Sequence, residues 1–334
     1  MSVFEKPEVV FAIQAVRQGA LLAQQVQRHI GHASVAKHDR TPVTVADFAV
    51  QALISERLHK TFPDVPLVGE ESAALLKQKA SETVLADVIR FLKPAFGDIA
   101  AKDVYQWIDH GQGEPCKRFW TLDPIDGTRG FLRGGHYAVA LALIEDGEVT
   151  VAALGCPTIA KGRHFDYEGP GSLIFAVKKE GAWVNQIQFV KEWERLHASE
   201  RSSIEEGVLV RSYEGKHTDH LKTDRMMRSL GMKQKPIGMD SLAKYALVAS
   251  GEADILMRVP APDHRDYREN IWDQASGALI VEEAGGKITD LDGKHLDFSC
   301  GKKLLKNTGI LATNGLLHDQ MLKTIQQVLN GSQG

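Results

Sequence analysis

Residues 120–131 read WTLDPIDGTRGF and carry two aspartates three positions apart. The apolar run 119–122 predicts a strand that delivers Asp123, and Pro124 forces a turn that brings Asp126 into the same small volume. Two bare carboxylates held that close repel each other, so a cation is the natural third party, and magnesium suits hard oxygen ligands and bound phosphate. Gly127 and Thr128 would open a helix or turn whose N–H groups hold a phosphate oxygen. Alone, the same letters also describe an acidic turn, because Asp-Pro and Asp-Gly pairs are common turn chemistry.

Four further acidic residues are candidates to stand beside this turn. Glu70 and Glu71 follow the short apolar run Leu67-Val68, so their carboxylates stand at a strand end, although acidic residues also suit a solvated helix start. Asp273 follows Trp272 at the head of an apolar helical run, where an aspartate can be a ligand or simply a cap. Asp47 lies behind Thr44, which is placed to cap a helix over about 46–60; its functional reading is an acid that orients a hydroxyl such as that of Thr128.

These groups need a scaffold, and the apolar spacing supplies one. Val9, Ile13, Val16, Ala20 and Ala23 recur at helical spacing, predicting a long first helix. A charged stretch over 77–102 reads as surface helices or a lid, and Pro94, Gly97, Gly111 and Gly113 are expected to break up the chain from there to the acidic turn. Residues 137–154 read as a hairpin around EDGE, and 172–179, 208–211, 254–258 and 310–312 as further strands. Helices are expected over 241–250, 272–284 and 316–329. Long helices, then a meander of strands, then helix–strand–helix favour a layered α+β arrangement over a doubly wound parallel sheet. The expected division falls near residues 202–207, with one lobe over 1–204 carrying the main acidic motifs and a second over 205–334 carrying Asp273.

Composition narrows the partners. The chain has 334 residues, 43% hydrophobic and 25% charged, with a formal net charge of -3, so bulk charge gives no hold on nucleic acid or an anionic membrane. Any anionic substrate must be met by metal or by local cations. The three cysteines, Cys116, Cys156 and Cys300, match no zinc spacing and are expected to be free, mostly buried thiols. The first dozen residues resemble neither a signal nor a transit peptide, and no apolar run is long enough to span a bilayer, so a cytoplasmic protein is expected.

Five segments, TPVTVAD, VGEES, WTLDPIDGT, DSLAKYALVASGEAD and WDQASGALIVEEAGG, together resemble the inositol monophosphatase superfamily of metal-dependent, lithium-sensitive phosphatases, in order and spacing through most of the chain. Within it the chain looks most like the 3′(2′),5′-bisphosphate nucleotidases, through GTRGF, the long segment between Glu71 and Asp123, and DSLAKY. It departs in carrying Arg129, where those enzymes commonly have Lys, and in the stretch 259–269. The resemblance implies an α-β-α-β-α sandwich and two or three Mg2+ ions. It implies metal ligands at Glu70, Asp123, Asp126 and Asp273 plus the main-chain carbonyl of Ile125, and a water-orienting pair at Asp47 and Thr128. Substrate contacts are implied at Ser241, Lys244, Arg258 and His217. Lys244 follows Ser241 by three residues, which would set both on one helix face to meet a second phosphate.

The expected reaction is hydrolysis of a phosphate monoester by activated water, with Glu70 and Thr128 orienting the water and no protein nucleophile. The implied substrate is a small phosphorylated nucleotide, 3′-phosphoadenosine 5′-phosphate, with 3′-phosphoadenylyl sulfate as a further candidate, acted on by a monomer or homodimer. Two alternatives stay open: an inositol phosphate or sugar bisphosphate phosphatase, and a non-catalytic metal and nucleotide sensor.

Overall fold

The computed structural model describes residues 2–30, 34–36, 42–78, 81–160, 164–165, 169–189, 192–213, 219–260 and 266–331. Its helices are α1 (Pro7–Ile30), α2 (Val45–Thr61), α3 (Glu82–Phe96), α4 (Ala101–Asp109), α5 (Thr128–Leu132), α6 (His220–Ser229), α7 (Ala243–Ala249), α8 (Ala275–Glu283) and α9 (His318–Gly331). In the first half the strands are β1 (Ser34–Ala36), β2 (Pro42–Thr44), β3 (Leu67–Gly69), β4 (Arg118–Asp126), β5 (Ala138–Glu145), β6 (Glu148–Cys156), β7 (Ile159–Ala160) and β8 (His164–Phe165). Then come β9 (Ser172–Val177), β10 (Gly181–Gln186), β11 (Glu194–Arg195), β12 (Leu209–Arg211), β13 (Ile237–Gly238), β14 (Ile255–Arg258), β15 (Lys287–Thr289) and β16 (Ile310–Thr313).

Two sheets hold most of the strands, while β1–β2 and β7–β8 form separate antiparallel pairs. The larger runs β11-β10-β9-β6-β5-β4-β3 and is antiparallel except for the parallel β3–β4 pair. The smaller runs β13-β12-β14-β16-β15. Helices α1 and α2 cover one face of the larger sheet, α7 and α8 lie between the sheets, and α6 and α9 close the far side. Three apolar clusters fill the gaps, the middle one joining Ala152 and Ile174 of the larger sheet to Leu279 of α8 and Ala312 of the smaller. This is the α-β-α-β-α layering. The larger sheet is complete before residue 202 and the smaller begins after 207, and on that ground we propose the division at 204–205. The shared middle cluster makes α8 part of both halves.

Local chemistry explains most boundaries. Thr44 caps α2, its hydroxyl accepting the N–H groups of Ala46 and Asp47 at 3.1 and 3.4 Å. The EDGE hairpin turns through Asp146 and Gly147, both at positive φ, as a two-residue turn of right-twisted strands requires. Helix α2 is buried nearly all round because α1, α3, α4 and the sheet enclose it.

Several expectations need correction. Pro94 does not break the chain; it is exposed in the last turn of α3, where losing one hydrogen bond matters least, and Gly97 ends the helix. A separate helix, α4, comes after it. Helix α7 begins at Ala243, so Ser241 is outside it, and Trp272, Asp273 and Gln274 precede α8. Of the three free thiols only Cys156 is buried. No helix among the described residues is long and apolar enough to cross a membrane.

Candidate active site

The acidic turn lies at the end of β4, where the β4–β5 register shifts between Asp123 and Asp126. This bulge, with Pro124 unable to donate to the ladder, turns both carboxylates toward one side. The Asp123 carboxylate accepts the Ile125 N–H at 3.1 Å, and the Thr128 hydroxyl donates to the Ile125 carbonyl at 3.2 Å. Gly127 then opens α5 at φ 85. A Cβ there would stand 2.8 Å from the Ser241 Cβ and 3.1 Å from the His136 carbonyl oxygen, so glycine is required by backbone and by space.

Asp273 arrives from the other half of the chain. Its carboxylate accepts the Asn270 side-chain amide at 3.2 Å, and one ligand atom each from Asp123, Asp126 and Asp273 lies within 4.8 Å of the others. The grouping has an electrostatic cost. Asp123 is pushed well above the usual carboxylate range by burial, then by the charges of Glu70, Asp126, Asp273 and Asp47. Burial raises Asp126 to about 6 against the pull of Lys244, the Leu242 N–H and Arg258. Burial, then Asp126, raises Asp273 to about 8. A divalent cation would offset both terms at once, since it supplies opposite charge and ligation to groups that desolvation and repulsion otherwise protonate. The donor set therefore fits a hard cation. Glu70 falls outside the trio, but its charge contributes to raising all three.

Asp47 lies one element away. Its carboxylate accepts the Thr44 N–H at 2.7 Å and the Thr44 hydroxyl at 2.5 Å, a reciprocal capping arrangement, while the Thr128 hydroxyl turns to Ile125. Its charge still reaches Asp123.

The expected substrate residues gather beside the acids. The Asp126 carboxylate accepts the Leu242 N–H, which ties the acidic turn to the segment ahead of α7. Ser241 sits at φ 71, a region that a residue with a side chain rarely adopts, and this kink aims its carbonyl at Lys244 Nζ, 2.8 Å away. Ser241 and Lys244 thus meet through a turn and not along a helix face. Lys244 is buried, which lowers its ammonium to about 8 against the opposing charge of Asp126. Arg258, at the end of β14, pairs through Nε with Glu269 at 3.1 Å. His217 lies outside the described residues.

Four positions carry the site that motif reading does not single out. Glu269 binds Arg258 and accepts the Gln274 amide at 3.0 Å, and Gln274 in turn accepts the Tyr245 hydroxyl. Gln51 is buried against the Glu70–Glu71 turn. Its spacing from Asp47, one helical turn, is the only signal the sequence offers.

A model of the inositol monophosphatase family matches residues 5–330. The chain belongs to the inositol monophosphatase family. That family is metal-dependent, and the aspartate trio is where this member could hold a metal. Two relatives named 3′(2′),5′-bisphosphate nucleotidase are each 36% identical to it. The one from Emericella nidulans aligns over 94% of this chain and 96% of its own length, and the one from Oryza sativa over 96% and 94%. Among solved structures, a Thermotoga maritima IMPase superposes with a TM-score of 0.67 at 23% identity, covering 97% of this chain and 98% of its own, which bears on the fold alone.

Proposed function

We propose that this chain is a magnesium-dependent 3′(2′),5′-bisphosphate nucleotidase that hydrolyses 3′-phosphoadenosine 5′-phosphate to AMP and phosphate. The observation that carries the reading is a buried ammonium, Lys244, tied by its neighbours to an aspartate trio: anionic ligands for metal and a desolvated cation for a second phosphate stand side by side. The names of the relatives supply the substrate class.

In this reading Asp123, Asp126, Asp273, Glu70 and the Ile125 carbonyl hold the ions. When bound, magnesium supplies Lewis-acid stabilisation of the phosphoryl group and acidifies water. The chain's own residues do the positioning. Glu70 and Thr128 orient the attacking water, and the Thr128 hydroxyl exchanges its Ile125 contact for that role. Asp47, fixed by Thr44, directs the hydroxyl. The amides of Gly127 and Thr128 receive a phosphate oxygen. Lys244 and the Glu269-braced guanidinium of Arg258, with Ser241 and His217, take the rest of the nucleotide. A buried ammonium binds an anion more strongly than a solvated one because little water is displaced.

The test is selectivity. Lys244→Ala should raise KM for 3′-phosphoadenosine 5′-phosphate by about tenfold or more, the scale of one lost charge-assisted hydrogen bond, and leave KM for a simple phosphate monoester little changed. Equal effects on both substrates would contradict the second-phosphate role.

A further inference from the structure

The turn that carries Glu70 is clamped by a side chain from another element. Gln51 leaves α2 one turn after Asp47, on the same face of the helix. Its amide is fully buried and is used from both ends. Oε1 accepts the Glu71 N–H at 2.9 Å, while Nε2 donates to the Glu71 carbonyl and, at 3.0 Å, to the Ile108 carbonyl of α4. The backbone leaves room for it. A Cβ on Gly69 would lie 2.7 Å from Gln51 Oε1, and one on Gly111 would lie 2.6 Å from Nε2. Gly69 in turn donates its N–H to the Gly111 carbonyl at 2.7 Å, and the Gln112 amide donates to the Glu71 carbonyl at 2.5 Å.

Burying a primary amide is costly unless its donors and acceptor are used. Here they are used on the backbone on both sides of residue 71 and on the end of α4. The peptide groups that Gln51 grips come immediately after Glu70, whose own N–H is held at 3.2 Å by the Leu122 carbonyl of β4. The direction in which Glu70 leaves the sheet is therefore set from two sides, by β4 and by Gln51.

We propose that Gln51 is a positioning residue for Glu70: it holds the Glu70 carboxylate against the Asp123–Asp126–Asp273 trio and couples that placement to α4. This rests on the reading of Glu70 as a metal ligand. One face of α2 then serves the site twice, through Asp47 and through Gln51.

The experiment measures Mn2+ and Mg2+ affinity by titration calorimetry in the wild type, Gln51→Met, Gln51→Asn, Glu70→Ala and the Gln51→Met/Glu70→Ala double variant, together with kcat and KM. Met keeps the length and removes every hydrogen bond; Asn keeps a neutral amide with its donors and acceptor, one methylene short, and supplies a second variant should Met destabilise the chain. Gln51→Met should weaken cation binding by about tenfold, the lower end of what supporting partners of metal ligands contribute. Gln51→Asn should lie between it and wild type. The loss should appear in kcat more than in KM, and it should vanish in the Glu70→Ala background, because two changes acting through one group do not add. A purely structural role would instead weaken binding equally in both backgrounds, and that result overturns the proposal. So does unchanged affinity in both Gln51 variants while Glu70→Ala binds weakly. If Glu70→Ala itself binds cations as tightly as wild type, the ligand reading of Glu70 fails first.

Discussion

The Asp126 carboxylate accepts the backbone N–H of Leu242. This contact ties an acid on the larger sheet to the turn that holds Ser241 and Lys244, 116 residues away in sequence, so the proposed metal and substrate sides of the site are joined through the backbone.

Asp126→Asn separates charge from shape. The amide oxygen can still accept the Leu242 N–H, so the fold is retained, but one anionic group of the proposed metal site is gone. Magnesium-supported kcat should drop by at least about 100-fold, the upper end of what even an indirect partner of a metal ligand contributes. Metal-free thermal stability should not fall, since a repelling charge has been removed from the trio. Wild-type-like turnover in this variant would remove the metal-site argument.

Stability without metal should depend on pH in a defined direction. Asp273 is raised from 3.8 to about 8 in the folded chain. A group raised in the folded state contributes stability that is complete below its unfolded value and is lost as pH rises through the folded value. Chemical denaturation in chelator should therefore show stability declining from about pH 4 to about pH 8 through this group. Added magnesium should reverse the decline, most strongly at the alkaline end.

Lys244 predicts the alkaline limb of activity. Its ammonium, lowered by burial to about 8, is charged below that value and neutral above it. In the free enzyme, kcat/KM for 3′-phosphoadenosine 5′-phosphate should fall above about pH 8, because the charge proposed to bind the second phosphate disappears. Bound phosphate favours the charged form, so kcat should hold to higher pH. Lys244→Arg should remove the limb, and its persistence there would assign it to another group.

Gly127→Ala should harm both stability and catalysis. The left-handed backbone alone costs a residue with a side chain about 1–2 kcal/mol, and the added carbon would press on Ser241 Cβ at 2.8 Å. Thermal unfolding should shift down, and KM for the nucleotide should rise through displaced Ser241. An unchanged melting temperature would contradict the tight approach of α5 to the Ser241 turn.

The layered fold and the acidic turn were legible because each rests on local signals: helical spacing in α1, the EDGE hairpin, a cap at Thr44, and Asp-Pro followed by Asp-Gly at a strand end. Asp273 was legible as a neighbour of Asp123 through the family resemblance alone, since its own local signals mark only a helix start and tertiary packing brings the two together. Ser241 was misplaced on a helix because propensity does not register the Asp126 carboxylate that captures the Leu242 N–H and holds the chain out of helical geometry. Gln51, Glu269 and Gln274 were missed for a different reason. They are polar residues whose burial depends on side-chain and backbone partners that local sequence patterns do not reveal, and such residues are ordinarily exposed.

The most direct test of the central claim is phosphate release from 3′-phosphoadenosine 5′-phosphate, with AMP identified as product, run beside inositol 1,4-bisphosphate and inositol 1-phosphate, each with magnesium and with chelator. Magnesium-dependent turnover that strongly prefers the nucleotide and is abolished by chelation is expected. Turnover confined to the inositol phosphates would contradict the nucleotidase reading, and turnover that persists in chelator would contradict the metal chemistry itself.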